Sequence, residues 1–482
     1  ENEDFFNYQL HPSQQFDAVI GNPPYIRRYS IADIDTVRKV VLRSTQIHAD
    51  DLKNLSDLYI YFVLHAVTRL RVGGRLCVVT ADPWLNVGYG RILKKYLLEH
   101  FSIEHILTID RRLFPNADVR AVILHARRID DPVTSARVVS FTRVFNGLPI
   151  ERIPIYSSAA STEVAGVSTL NVSRDELRPE KQWGSYFKIG GLYEKIVRLP
   201  GIASISDVAN TQIGHQTLAK DFFIIPAGKS SVVESRFLRP LAQAPKLYFR
   251  RPIIFAADEV DSYVFCCSAP KSDLQGTKAL TYIERGEAKE VDVRGKGITV
   301  KGYHSKKRIQ RARRPHWYDI QTHLEKRASC EILVPRFIFH EYLVVWNQAT
   351  YVTGELFLEF RPKTGFDTRV YLAILNSSLA ELMFRVHAQI YGGGINNMSP
   401  GEFKRVPIVD PNFISAESRE RLVQAYEVFV NENLNREQID QTVFQILGLD
   451  ENSVNSVFTT LNDLRKLSKT VKKSVDDEHV EE

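Results

Sequence analysis

The 482 residues are 44% apolar, 25% charged and 10% aromatic, a globular balance that excludes disordered, collagen-like and low-complexity chains and, at about 100–200 residues per domain, predicts two to four domains. No apolar run approaches the roughly 18 residues that cross a bilayer, and four cysteines without metal-ligand spacing exclude a disulfide framework and favour a reducing, intracellular setting. The net charge of +6 is mild, so only its distribution along the chain is informative.

The chain opens at Glu1 with no initiator methionine and no signal-peptide pattern, which predicts the body of a longer protein or one half of a split one. FDAVIG at 16–21 reads as a buried strand running into a tight turn at Pro23-Pro24. A short helix is expected around Ile34–Leu42. DLYIYFVLHAVTRL predicts a largely buried helix capped by Ser56 or Asp57 and stopped by Gly73-Gly74. RLCVVT at 75–80 is a strand, 88–101 a helix, and 103–110 and 120–128 are strands. This alternation predicts an α/β domain with a mainly parallel sheet over residues 1–150. A Ser/Thr/Ala-rich connector is expected at 151–184. Many short β-like runs, interrupted by one helix at 368–388, predict an α+β domain over 185–410. Amphipathic helices form a tail at 411–482.

The sharpest chemical signal is Asn22-Pro23-Pro24-Tyr25, directly after the first strand. A plain strand-to-loop turn favours the same residue types. The placement at a carboxyl edge, where α/β sheets bind ligands, argues for more. A nucleobase amine is a poor nucleophile because its lone pair is delocalised into the ring. The Asn22 side-chain oxygen and the Pro23 carbonyl are two acceptors on adjacent residues. Aimed at the two amine hydrogens, they would draw the nitrogen toward a tetrahedral shape and free the lone pair for a methyl donor. The two prolines restrict φ and so preset the carbonyl direction. Tyr25 supplies a face on which a base can stack. The rest is positioning.

The second signal is basic. Nine Lys or Arg and no acid fall between Arg294 and Arg314: Arg294, Lys296, Lys301, Lys306, Lys307, Arg308, Arg311, Arg313 and Arg314. Such runs are commonly solvated loops, but in a chain of low net charge the concentration points to phosphate contact. Arg250-Arg251 is a weaker pair of the same kind, and Trp317 is expected in the core. No H-E-x-x-H, P-loop or G-x-S-x-G is present, the histidines are scattered, and Glu287-Ala-Lys289 is too isolated for a nuclease.

FDAVIGNPPY resembles the catalytic segment of the TaqI-like, gamma-type DNA adenine methyltransferases, which include the Eco57I-like restriction–modification enzymes. Residues 57–85 and LFPNADVRAVILHAR at 113–127 resemble further stretches of that family in the same order. Residues 203–225 and 370–410 resemble its target-recognition domain, so the likeness spans about 4–410. It implies a partial Rossmann-like methyltransferase domain, an α+β recognition domain and a helical tail. It implies methyl transfer from S-adenosylmethionine to the 6-amino group of a flipped adenine in double-stranded DNA, in the cytoplasm of a bacterium. The matching positions make Asn22, Pro23, Pro24, Tyr25 and Phe114 catalytic, Phe114 packing against the base. Asp4 and Phe5, with Asn22, would contact the cofactor. Lys306, Lys307, Arg308, Arg311, Arg313 and Arg314 would meet DNA. So would Gly393, Gly394, Asn396 and Asn397, the two asparagines reading adenine edges, with Gly214, His215, Gln216 and Thr217 as weaker candidates. The family's glycine-rich cofactor loop has no counterpart in the sequence, which predicts an N-terminal half or partner subunit that carries it. The alternatives are a cytosine 4-amino methyltransferase and a DNA-binding specificity module without catalysis.

Overall fold

A computed structural model of the chain describes residues 5–6, 14–26, 33–45, 47–48, 52, 57–86, 88–109, 121–144, 163–164, 167–188, 191–243, 245, 248, 252–254, 260–292, 299–339, 341–391 and 395–477. The chain clusters into two compact units. One comprises Glu1–Arg198, Gln389–Gly394 and Thr470–Glu482, the other Leu199–Ala388 and Ile395–Lys469.

The first unit is built on β1 (Phe16–Gly21), α1 (Ile34–Thr45), α2 (Leu58–Val67), β2 (Leu70–Ala81), α3 (Arg91–His100), β3 (Phe101–Ile109), β4 (Ala121–Arg128), β5 (Val138–Val144), β6 (Glu163–Val164) and β7 (Val167–Ser173). The strands form one sheet in the order β1-β2-β4-β3-β5-β7-β6. Only β1–β2 and β3–β5 are parallel among the described pairs; β2–β4, β3–β4, β5–β7 and β6–β7 run antiparallel. The mainly parallel sheet is therefore corrected to a mixed one. The connection from Ile109 to Ala121 is shorter than the roughly dozen residues that a helical crossover needs, so β4 returns antiparallel between β2 and β3. Val167–Ser173, expected in a connector, pairs with β5 from end to end.

Helix α2 starts after Asp57 and is apolar nearly all round, so Tyr59, Ile60, Tyr61, Val63, Leu64, Ala66 and Val67 are all buried. It ends at Thr68, well before Gly73-Gly74. That pair lies inside β2, which is the second correction. Phe16 faces Leu70 while Ala18 already faces Arg75, so β2 carries a bulge opposite Asp17. Gly73 takes a φ of +81°, and a Cβ on Gly74 would sit 2.9 Å from the Arg71 carbonyl and 3.1 Å from that of Asp17. Only glycines fit. Leu76 and Val78 point into the core with α2 and α3, while Cys77 on the opposite face is half-buried.

The second unit has two four-stranded sheets. One orders Val345–Trp346, Ile332–Pro335, Phe357–Pro362 and Ala209–Ile213, all antiparallel. The other orders Ile224–Pro226, Ser262–Phe265, Leu238–Ala242 and Val352–Thr353, its last pair parallel. The single helix expected at 368–388 is two, Thr368–Asn376 and Ser378–His387. Ser377 is extended (ψ 155°), and its hydroxyl accepts from the Ala380 N–H as an N-cap. Asn376 turns its amide onto Val344, accepting from its N–H at 2.8 Å and donating to its carbonyl at 3.1 Å. The helices Ala416–Asn431, Glu437–Ile446 and Glu451–Asp477 follow. Buried Glu381 ties this region together: it pairs with Arg385 at 2.8 Å and with Arg436, and Arg465 donates to it at 2.9 Å.

Candidate active site

Strand β1 ends at Gly21, paired with Val78, and the chain then turns through Asn22-Pro23-Pro24-Tyr25 at the carboxyl end of the parallel pair β1–β2. Asn22 and Pro24 are exposed, Pro23 is buried and Tyr25 is half-buried. The turn is thus anchored by one proline and open on its polar side. The Leu58 N–H donates to the Ile26 carbonyl at 2.8 Å, tying the segment after the turn to the start of α2.

The Tyr25 hydroxyl donates to Asn22 Oδ1 at 2.6 Å and lies 3.4 Å from the Val79 carbonyl. This contact selects a rotamer of Asn22. It uses one of the two lone pairs on Oδ1 and leaves the other for a second donor. Burial pushes the Tyr25 phenol up to about 12, so it remains a donor throughout the neutral range.

Sequence reasoning missed a group of tyrosines beside the turn. The Tyr25 ring meets that of Tyr59 edge-on at 6.3 Å. Tyr59 is held far above the usual phenol range by burial and then by neighbouring Tyr89, and Tyr89 donates to Asp57 Oδ2 at 2.7 Å. Asp82, at the end of β2, pushes both phenols further up. Tyr59 sits on α2 within ring contact of Tyr25, but sequence periodicity marks it only as core.

The other expected site residues fall in several places. Asp4, Phe114, Gly393, Gly394, Arg250, Arg251, Arg294 and Lys296 lie outside the described residues. Phe5 stacks on Phe62 with ring centroids 3.8 Å apart and meets His65 edge-on at 5.2 Å. Burial, then Arg69, lowers His65 to about 4, so the imidazole beside Phe5 is neutral near pH 7. Of the residues expected at S-adenosylmethionine, two are described: Asn22, whose side chain is exposed, and Phe5, which is packed on Phe62.

In the second unit the basic run forms a short helix, Lys307–Arg311, that exposes Lys307, Arg308 and Arg311, with Arg313 exposed beyond it and Lys306 half-buried. Ile309 anchors that helix in the core. Arg314 differs: it is half-buried over the Phe223 ring at 5.1 Å and donates to the Thr217 carbonyl at 3.2 Å. Trp317 packs against Phe222 and donates to Glu287 at 2.8 Å, as expected of a core residue. Asn396 and Asn397 are buried in a strand that pairs with Phe337–Ile338, and Asn396 donates to the Ile338 carbonyl. The expectation that they read adenine edges finds no exposed amide at either position. Gly214 and His215 are packed against Thr353-Gly354, where a Cβ on Gly214 would lie 1.9 Å from the Gly354 carbonyl.

Comparison with known proteins follows the same division. The family profile of the Eco57I restriction-modification methylase matches residues 1–114, and that of the C-terminal domain of the Type II methyltransferase M.Eco57I matches 188–447. The Type II methyltransferase M.AccI of Acinetobacter calcoaceticus is 21% identical over 449 residues, spanning 90% of this chain and 77% of the relative. M.XhoI of Xanthomonas vasicola is 33% identical over 94 residues, 20% of this chain and 16% of the relative. Among solved structures, the Type IIL restriction-modification enzyme MmeI in complex with DNA aligns with 94% of this chain at 10% identity and a TM-score of 0.54, a likeness of fold. This chain spans 57% of that one.

Proposed function

The chain belongs to the Eco57I-like restriction–modification methylases, and from that premise we propose that it methylates the 6-amino group of adenine in duplex DNA with S-adenosylmethionine as donor. The observation that carries this reading is the exposed Asn22 amide at the carboxyl end of β1, oriented by the Tyr25 hydroxyl at 2.6 Å. The target base leaves the stack, because its amine cannot be reached inside a duplex. Its two amine hydrogens bond to Asn22 Oδ1 and the Pro23 carbonyl, Pro24 holds the turn, and Tyr25 and Phe114 flank the ring. When bound, S-adenosylmethionine supplies an electrophilic methyl group, with Asp4 and Phe5 at its adenosine. The methylated amine is acidic, so no strong base is needed.

The exposed cations Lys307, Arg308, Arg311 and Arg313, with Lys306, contact DNA phosphates, aided by the backbone at Gly393-Gly394. Residues 1–150 act as the catalytic domain and 185–410 as the recognition domain. A further segment or subunit carries the glycine-rich cofactor loop and covers β1. Support for it comes from Ile20, which is 81% exposed on an edge strand and lies on the same sheet face as its partner Cys77. An apolar side chain left so open is suited to being covered.

The test is methyl transfer from labelled S-adenosylmethionine to duplex DNA, using the full-length protein with any partner subunit and nucleoside analysis of the product. The expected product is N6-methyldeoxyadenosine. Methylated cytosine, or DNA binding without any transfer, would overturn the assignment.

A further inference from the structure

The turn from Asn22 to Tyr25 leaves a strand that ends its sheet among the described residues, and Asn22 and Pro24 are exposed. Groups that orient a reacting amine from such a place must be fixed from elsewhere, because a displacement of about 1 Å can cost about 100-fold in rate. Tyr25 carries that fixing to Asn22, since its hydroxyl donates to Oδ1 at 2.6 Å.

Two contacts lead from the turn into α2. The Tyr25 ring meets that of Tyr59 edge-on at 6.3 Å, and the Ile26 carbonyl accepts from the Leu58 N–H at 2.8 Å. Leu58 and Tyr59 are the first two residues of α2, and Asp57 directly precedes them. Asp57 holds the N-cap position with φ −123° and ψ 141°, yet its side chain makes no capping bond. An N-cap aspartate ordinarily accepts from the N–H of the second or third helical residue. Here Oδ2 instead accepts from the Tyr89 hydroxyl at 2.7 Å, a charge-assisted bond. Burial, then Asp57, holds the Tyr89 phenol well above its usual range, so it stays a donor.

Tyr89 is in turn fixed to the end of β2. Gly90 lies so near the Trp84 carbonyl that a Cβ would sit 1.9 Å from it, and Trp84 donates to Thr80 Oγ1 at 3.0 Å. Thr80 follows Val79, whose carbonyl lies 3.4 Å from the Tyr25 hydroxyl. The contacts thus close a ring. They run from the carboxyl end of β2 through Tyr89 and Asp57 to the start of α2, and from there back to the turn beside β2.

We propose that Asp57 and Tyr89 are positioning residues for methyl transfer. Their bond, which does not cap α2, sets the start of that helix and, through Leu58 and Tyr59, the place of Tyr25 and Asn22. The reaction named here rests on the function proposed above; the coupling of Tyr89 to Tyr25 does not. Without the Tyr89 hydroxyl, the turn samples geometries in which Asn22 Oδ1 and the Pro23 carbonyl no longer converge on one amine. Such a loss lowers kcat and kcat/KM together and leaves KM unchanged.

The test is the kinetics of methyl transfer by the full-length protein with any partner subunit. It is joined to fluorine NMR of fluorotyrosine-labelled protein, the Tyr25 resonance being identified by its loss in Tyr25→Phe. Tyr89→Phe should lower kcat about 10-fold at unchanged KM for S-adenosylmethionine, with DNA affinity and melting temperature little changed. It should also shift or broaden the Tyr25 resonance. Asp57→Ala should act in the same way, whereas Asp57→Asn, which keeps an acceptor for the phenol, should retain most of the rate. The double variant of Tyr89→Phe and Asp57→Ala should be no slower than the slower single one, because both remove one bond. The factor lost should be the same at every pH. Unchanged kcat in both single variants, fully additive losses, or a loss that follows the unfolded fraction would overturn the role. So would a loss confined to one limb of the pH profile, which would make the phenols a proton relay. A Tyr25 resonance untouched by Tyr89→Phe would overturn the coupling itself. A moved resonance in a protein that transfers no methyl group would uphold the coupling and count against the proposed function alone.

Discussion

The strands FDAVIG and ILVP are similarly apolar, yet their surroundings are opposite. All four residues of Ile332–Pro335 are buried, with strands on both sides. In Phe16–Gly21 no residue is fully buried, and Ile20 is 81% exposed. The first strand sits at a sheet edge and ends in a polar turn; the second lies inside a sheet. Apolar composition thus reports what a strand can bury, not whether this chain buries it. The contrast also bears on the proposed tasks: the edge in the first unit carries the residues proposed to do chemistry, while the interior of the second unit holds structure.

Substitutions at four positions break or sharpen that contrast. The largest effect is expected at the edge and on activity alone. Asn22→Ala should lower kcat for methyl transfer by about 10³-fold or more, with melting temperature and DNA affinity little changed. Loss of DNA binding by a normally folded variant would show that Asn22 does not play the proposed part.

Next is the interior, where stability should fall without any special effect on chemistry. Glu381→Ala leaves Arg385, Arg436 and Arg465 without their common partner and should cost about 3–5 kcal/mol in urea unfolding. Burial alone would raise the Glu381 carboxyl, but Arg465, Arg436 and Arg385 hold it down at about 2 against an ordinary 4.5. With the folded value depressed, its contribution is complete above about 4.5 and is lost as pH falls toward 2. The wild type should therefore lose more stability than Glu381→Gln across that acid window. Equal acid sensitivity of the two proteins would remove Glu381 from the account.

Leu333→Ala, at a site with no exposure, should cost about 2–5 kcal/mol through lost burial and the cavity left behind. The matched change on the edge, Ile20→Ala, should alter the stability of this chain by no more than about 0.5 kcal/mol. Its effect should grow once a covering segment or subunit is present. A large loss from Ile20→Ala in the chain by itself would mean that the edge is already packed.

Much of the candidate site was legible because it is local. Asn22 through Tyr25 is a contiguous run whose backbone is restricted by proline sterics, and its place after a strand follows from the FDAVIG pattern. The starts of α1 and α2 and the amphipathic helices after 415 were likewise readable from short-range periodicity, but the ends of α1 and α2 were not. The glycine pair misled, because a helix stop and a strand bulge both favour glycine. Only the register of β1 against β2 distinguishes them. The helix at 368–388 misled for a similar reason: Ser377 is tolerable inside a helix, and the partners that favour a break there, Val344 and Asp440, are remote in sequence.

By itself, the amino-acid sequence determined the chemical character of the Asn-Pro-Pro-Tyr turn, the order of helices and strands from β1 to β4 and the presence of a helical tail. These follow from backbone sterics and side-chain spacing over a few residues. Tertiary structure alone decided that β1 is an edge strand among the described residues, that β4 runs antiparallel, that Arg314 leaves the basic run for the core, and that His215 meets His323. Each of these depends on which distant segments become neighbours. Burial and electric field are sums over such neighbours, and no local pattern contains them.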